Sequence, residues 1–339
     1  MYEKLVTFEE EKRREHIYLL FNSLFVGACF IVIFEAIFSI PFLITDGISN
    51  LGVRWFVETL LRPICSSMPI FLPFFIYNVR QEKPLKEKLK PEKNKISALY
   101  YVLGIVIIAA LIPLFYWAGE SFSQYLISEG YVIHEKYPDM GQGTASNVFY
   151  VIYTSAISAI ILEPALRGVI CEKLSYSHTA LALILPSIIS SFYTYSFIRV
   201  PYLFVSSLVI SWCYLKTKSL YLSIALNFAS SVTFSVLLLL KDSIDLASVS
   251  VIGIVVAAVC FIVLAKEKGL KVKYPEPKNS EEEYERLTSK EAVKGLAKSF
   301  AFWIFLFICV FQIFFIYLDK PEPEPDGLTE AAVTIQENE

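Results

Sequence analysis

Long apolar runs alternate with short, densely charged stretches along this 339-residue chain. Nine runs read as membrane spans, near 17–44, 59–78, 98–118, 147–171, 179–198, 200–215, 219–240, 246–265 and 300–318. A helix rising ~1.5 Å per residue needs about 20 apolar residues to cross ~30 Å of hydrocarbon. The pattern therefore predicts an all-α polytopic membrane protein with about nine transmembrane helices. Four regions are expected: an N-terminal transmembrane region of three helices over 1–146, a core over 147–240, C-terminal transmembrane helices with a cytoplasmic linker over 241–318, and a disordered Pro/Glu-rich tail over 319–339.

Composition narrows the class. At 55% hydrophobic residues, 15% aromatic and a mean hydropathy of +0.54, the chain is too apolar for a soluble domain of ordinary charge content. Membrane lipid is thus one expected partner, and a nucleic acid is not. Of the 30 Lys and Arg residues, 24 fall in segments 1–16, 79–97, 167–178, 216–218 and 266–298. Cationic loops stay in the cytoplasm, which predicts a cytoplasmic N-terminus and an outside C-terminus in the cell membrane. The charged stretch MYEKLVTFEEEKRREH is unlike the short basic region of a cleaved signal peptide, so the first span is expected to be retained. Cys29, Cys65, Cys171, Cys213, Cys260 and Cys309 lie in or beside apolar runs without a C-x-x-C pair, which fits packing residues rather than a disulfide framework. The stretch YPEPKNSEEEYERLTSKEAVKGLAKS reads as a linker followed by a short charged helix, most simply a solvated connector.

Charges inside spans carry the functional question. Residues 161–174, ILEPALRGVICEKL, put Glu163 and Arg167 four apart on one helix face, where carboxylate and guanidinium neutralise each other at membrane depth. Pro164, directly after the glutamate, weakens the helix there. Glu35 is a second acidic residue in a span, with Arg62 or Arg199 as its partner. Glu58 and Arg62 are also i, i+4, most simply on an interfacial helix before the second span.

Three motifs resemble the CPBP family of intramembrane metalloproteases, also called the Abi or CAAX-protease-like family. That family carries E-E-x-x-x-R-G, F-x-x-x-H and H-x-x-x-N on successive helices. Here LEPALRG, SSFYTYSF and KSLYLSIALNFASS stand in their places, over about residues 147–240. The resemblance implies a CPBP-like helical core that would use zinc in active members. Carried over by position, Glu163, Arg167, Gly168 and Phe192 are kept. Leu162 stands where the family has its water-activating Glu, Ser196 and Asn227 replace the two metal-binding His residues, and Ser231 replaces the final Asn.

Helix rise alone tests whether these positions can meet. Glu163 to His178 and His178 to Ser196 are legs of similar length, so a hairpin turning near His178 brings Glu163 and Ser196 to one depth, with Asn227 about 12 Å into its own span. These positions are expected to line one polar cavity. A catalytic zinc wants three ligands from His, Cys, Asp or Glu, and the three histidines His16, His134 and His178 all lie away from the motifs. No cofactor is therefore expected, and Glu163 and Arg167 are read as structural remnants of a catalytic site. The resemblance then implies an inactive member that scaffolds or regulates a membrane or cell-envelope protein through the former substrate cavity. The alternatives are an active intramembrane metallo-endopeptidase with an atypical site, and a transporter relaying charge through Glu35, Glu163 and Arg167.

Topology is directly measurable. Single cysteines replacing Gly141 and Asn279 in a cysteine-free background are expected to react with an impermeant thiol reagent from opposite membrane faces. Reaction of both from one face would refute the charge-derived orientation.

Overall fold

The computed structural model describes residues 2–45, 47–80, 98–133, 143–194, 196, 198–241, 243–268 and 287–317. His134, the tail 319–339, and the labelling positions Gly141 and Asn279 lie outside the described residues. The architecture is all-α: α1 (Tyr2–Thr45), α2 (Leu51–Arg80), α3 (Ala98–Ser128), α4 (Thr144–Glu163), a π-helical segment (Pro164–Cys171), α5 (Glu172–Ser177), α6 (Thr179–Phe192), α7 (Arg199–Thr217), α8 (Leu220–Leu240), α9 (Leu246–Lys268), α10 (Ser289–Lys298) and α11 (Phe300–Tyr317). Many large apolar side chains face outward, Val251, Ile252, Val255 and Val259 on α9 among them. A helix apolar on its outer face suits lipid rather than water.

Among the described residues, seven helices are long and apolar enough to cross a membrane, or eight if α10 and α11 form one bent span. The expected span 179–198 differs most. Its helix, α6, ends at Phe192 after 14 residues, a rise of about 21 Å that falls short of the hydrocarbon thickness. The second span also begins earlier than expected: Glu58 and Arg62 lie within the continuous helix α2, not on a separate interfacial helix. Glu58 there accepts from Arg54 at 2.8 Å and stands 3.8 Å from Arg62. Glu35 sits half-buried on α1.

The short charged helix is not a free connector. Thr288 and Glu291 form a reciprocal capping box at the start of α10. Leu287 N–H donates to the Ser177 carbonyl at 2.9 Å, and Ala292 and Gly295 are buried. A bend of 68° leads into α11. There Ser299 donates to Asn22 Oδ1 of α1 at 3.0 Å, and Phe302 packs edge-on against Phe25 with ring centroids 5.0 Å apart. His178 joins the same corner: its Nδ1 accepts from Leu181 N–H, and its Nε2 lies 3.2 Å from the Ser289 hydroxyl.

Two apolar clusters divide the interior. One gathers α1, α2, the π segment, α5, α6, α10 and α11 around Phe25, Ile70, Leu166 and Leu185. The other gathers α3, α7, α8 and α9 around Tyr116, Ile210, Leu226 and Phe234. Helix α2 carries Pro63, Pro69 and Pro73, each of which removes a ladder donor. Two carbonyls beside those freed by the prolines accept from outside the helix, Leu60 from Tyr153 at 3.2 Å and Ser66 from Tyr193 at 2.7 Å. The six thiols are free.

Helix α9 approaches α3 closely enough that its backbone touches. A Cβ at Gly253 would fall 2.1 Å from the Ala110 carbonyl oxygen, and the next turn of the interface is the buried Ala257. This is the small-xxx-small packing that lets membrane helices meet at backbone distance. Gly253→Ala is expected to cost about 1–3 kcal/mol by forcing the helices apart. Gly168→Ala, which meets nothing within 4 Å, should escape that penalty. Thermal unfolding in detergent measures both, and equal losses would contradict the packing account.

Candidate functional site

The site begins where α4 loses its regular ladder. Pro164 has no N–H, and its ring crowds the carbonyl four residues back, so a straight α-helix cannot continue through it without loss. The chain answers with a wider π-helical turn over Pro164–Cys171, in which Glu172 N–H reaches the Arg167 carbonyl five residues behind. Such bulges re-aim side chains. All eight residues of the segment are buried, Arg167 included.

Glu163 and Arg167 are 0% and 1% exposed, so neither charge is shared with solvent. Arg167 Nη1 donates to Glu163 Oε1 at 2.9 Å. Arg167 Nη2 donates to the Ser207 carbonyl at 3.0 Å and the Ser207 hydroxyl at 2.6 Å. From α8, the Asn227 amide donates to the same Glu163 Oε1 at 2.6 Å. Four side chains from α4, the π segment, α7 and α8 thus form one buried network. Among the described residues, buried Glu163 Oε2 accepts no hydrogen bond and buried Arg167 Nε donates none.

The other motif positions go elsewhere. Leu162 is half-buried and packs against the first apolar cluster. Ser196, expected on the helix of span 179–198, lies instead in the turn after α6, because that helix has already ended at Phe192. Its hydroxyl accepts from the N–H of Arg199, the first residue of α7, at 3.0 Å. Ser231 lines a polar cavity of about 280 Å³, together with Arg62, Ser66, Tyr150, Ser158 and Arg199. The structure therefore joins Glu163, Arg167 and Asn227 directly, and puts Ser231 one helical turn beyond Asn227.

Ser207 was missed by the sequence reading. Its signal was available: Ser206, Ser207 and Ser211 are polar residues inside an apolar span, and all three are buried. A buried serine facing a guanidinium in a neighbouring helix satisfies both groups. The convergence of Arg62 and Arg199 on one cavity was missed too, since nothing in their spacing relates α2 to α7.

Zinc does not fit this donor set. Glu163 Oε1 accepts from a guanidinium and an amide N–H, which leaves Oε2 as its one unengaged oxygen among the described residues, and Asn227 turns its amide nitrogen towards the carboxylate. Ser196 Oγ is a weak neutral oxygen engaged with backbone. Among the described residues, no three His, Cys, Asp or Glu side chains gather closely enough to hold a metal ion.

Against this geometry, comparison with known proteins gives one match. Residues 144–233 match the family model described as Type II CAAX prenyl endopeptidase Rce1-like. This segment is similar to the Rce1-like family. No curated protein and no solved structure matches the chain. The Rce1-like segment runs from the start of α4 to the middle of α8 and covers roughly a quarter of the chain. It contains the entire Glu163–Arg167–Ser207–Asn227 network, within a multi-pass all-α membrane protein.

Removing one member of a buried charge pair costs about 3–5 kcal/mol, because the survivor is left uncompensated. Arg167→Ala is therefore expected to lower folding yield more than Glu163→Gln, whose amide still accepts from Asn227. The double variant Glu163→Gln with Arg167→Gln should recover part of the loss. Additive losses in that cycle, read by thermal unfolding in detergent, would mean that the pair is not coupled.

Proposed function

We propose that this protein is a catalytically inactive relative of the CAAX-type intramembrane proteases that scaffolds or regulates a membrane or cell-envelope protein. The observation that carries the reading is what surrounds Glu163: Arg167 and Asn227 donate to its Oε1, and among the described residues no second or third His, Cys, Asp or Glu side chain joins it to hold a metal ion. Leu162 in the apolar core supports the same reading, since a leucine offers no proton acceptor. The charge distribution supports a cytoplasmic N-terminus and an outside C-terminus, which sets the Lys-rich segments 79–97 and 266–298 on the cytoplasmic side.

Catalytic inactivity has a direct readout. Protein purified from its native membrane is expected to hold far less than one zinc per chain. The triple change Leu162→Glu, Ser196→His and Asn227→His should raise zinc content only if Ser196, now in a turn, can still reach the centre. Near-stoichiometric zinc in the unmodified protein, surviving chelator washes, would overturn the proposal and favour an active metallo-endopeptidase.

The scaffold role is tested by association. In mild detergent the chain should co-elute with an intact membrane or envelope protein at a fixed ratio, and the Glu163→Gln variant should retain that association. Recovery of cleaved fragments that disappear in Glu163→Gln would count for proteolysis instead.

A further inference from the structure

Helix α10 and the start of α11 form an elbow whose outer side carries two kinds of surface. Lys290, Lys294 and Lys298 recur every four residues and are all exposed, so they form one cationic stripe along α10. Exposed Val293 and Ala297 run beside that stripe, while Ala292 and Gly295 on the opposite side are buried. None of the three lysines is ion-paired among the described residues. Glu291, the one acid on the helix, turns back to its N-terminus, where it accepts from the Thr288 N–H and hydroxyl at 2.8 Å each. On α11, Phe300, Trp303 and Phe307 are 70%, 52% and 67% exposed, and their spacing puts them on one face. Trp303 joins the two surfaces: its indole N–H donates to the Ala297 carbonyl at 2.8 Å.

We propose that this elbow binds anionic phospholipid, with Lys290, Lys294 and Lys298 meeting the headgroup phosphates and Trp303 and Phe307 meeting the acyl chains. Helix α11 is 18 residues long without a charged side chain, a rise of about 27 Å that nearly matches the hydrocarbon thickness. With α11 crossing the bilayer, the 68° bend turns α10 towards the membrane plane. A helix lying there with lysines on one flank and apolar side chains on the other suits the interface, where lysine stems reach up to the headgroups. A tryptophan in the first turn of the crossing segment belongs at the same level. Continuity selects the occupant. The exposed face of α11 meets lipid, and that face passes through Trp303 onto Ala297 and Val293 beside the lysines. An acidic protein would also attract the lysines, but it would not account for the aromatic side chains that adjoin them. Glu281, Glu282, Glu283 and Glu285 precede the helix in the sequence and lie outside the described residues, so their competition for the lysines is one outcome of the test. The inference does not rest on the scaffold reading, since an active or an inactive chain would carry the same elbow.

Lipid contact is read locally, on the full chain in nanodiscs, from the fluorescence of Trp303 after Trp55→Phe, Trp117→Phe and Trp212→Phe. Brominated phosphatidylglycerol and brominated phosphatidylcholine, each at the same mole fraction, serve as quenchers. Quenching is expected to show a preference of about fivefold or more for phosphatidylglycerol at low salt, falling as salt is raised. The triple change Lys290→Gln, Lys294→Gln and Lys298→Gln should bring that preference close to one. It should leave quenching by phosphatidylcholine intact, which shows that the elbow is still folded and still in lipid. Lys216→Gln, outside the elbow, should change neither. A chain that keeps only Trp117, exposed on α3, should be quenched equally by the two lipids. Equal quenching of Trp303 by both lipids, a preference that survives the triple lysine change, or an absence of quenching by either lipid would overturn the proposal. In the first two cases the lysines are neutralised by the preceding glutamates or meet an acidic protein instead.

Discussion

The Glu163–Arg167 ion pair sets the terms for the core of this membrane protein. A lone charge near the centre of a bilayer costs roughly 2.5–3.5 kcal/mol on insertion scales, so each partner is tolerable there chiefly through the other. The pair still leaves donors and lone pairs over, and these reach out to Ser207 on α7 and Asn227 on α8. Without hydrophobic pressure between helices in lipid, such polar contacts and close packing decide which helices meet. The network therefore does more than neutralise charge: it fixes α7 and α8 against the end of α4, joining the two apolar clusters of the bundle.

The local chemistry of that network was legible in the sequence because it is written at short range. An i, i+4 acid and base in an apolar run announce a pair, and a proline beside the acid announces a broken ladder. The shift from α to π geometry was not legible, since Pro164 says only that regular pairing must change, and not how. Asn227 could be placed by its resemblance to a motif position and by helix rise. Ser196 could not be placed correctly, because helix rise assumes an unbroken helix and α6 ends four residues too soon. Where the fold was misread, the cause was the same: length stood in for geometry. Runs of apolar residues mark 179–198 and 300–318 as spans, whereas a helix that ends at Phe192 and a 68° bend before α11 depend on contacts with α7 and α1 that no local pattern records.

The polar cavity and the buried pair stack along the same helices. Ser158 precedes Glu163 by five residues on α4, and Ser231 follows Asn227 by four on α8, so the cavity floor lies about 6–8 Å from the charged network along the helix axes. The cationic lining and the sealed ion pair are thus neighbouring parts of one polar column. The Glu163–Arg167 pair balances charge at one end of this column, and Arg62 and Arg199 line the other, with Arg62 3.8 Å from Glu58.

The corner where α10 and α11 dock on α1 has a consequence for synthesis. Asn22, Cys29 and Phe25 on the first helix find partners at Ser299, Ala301 and Phe302, some 272 to 277 residues later in the chain. At ~5–20 residues per second, a ribosome takes on the order of 15–55 s to reach them. For that interval Asn22, Phe25 and Cys29 on the first helix lack these late partners. The packing of α1 in this corner is therefore completed only when α10 and α11 have been made.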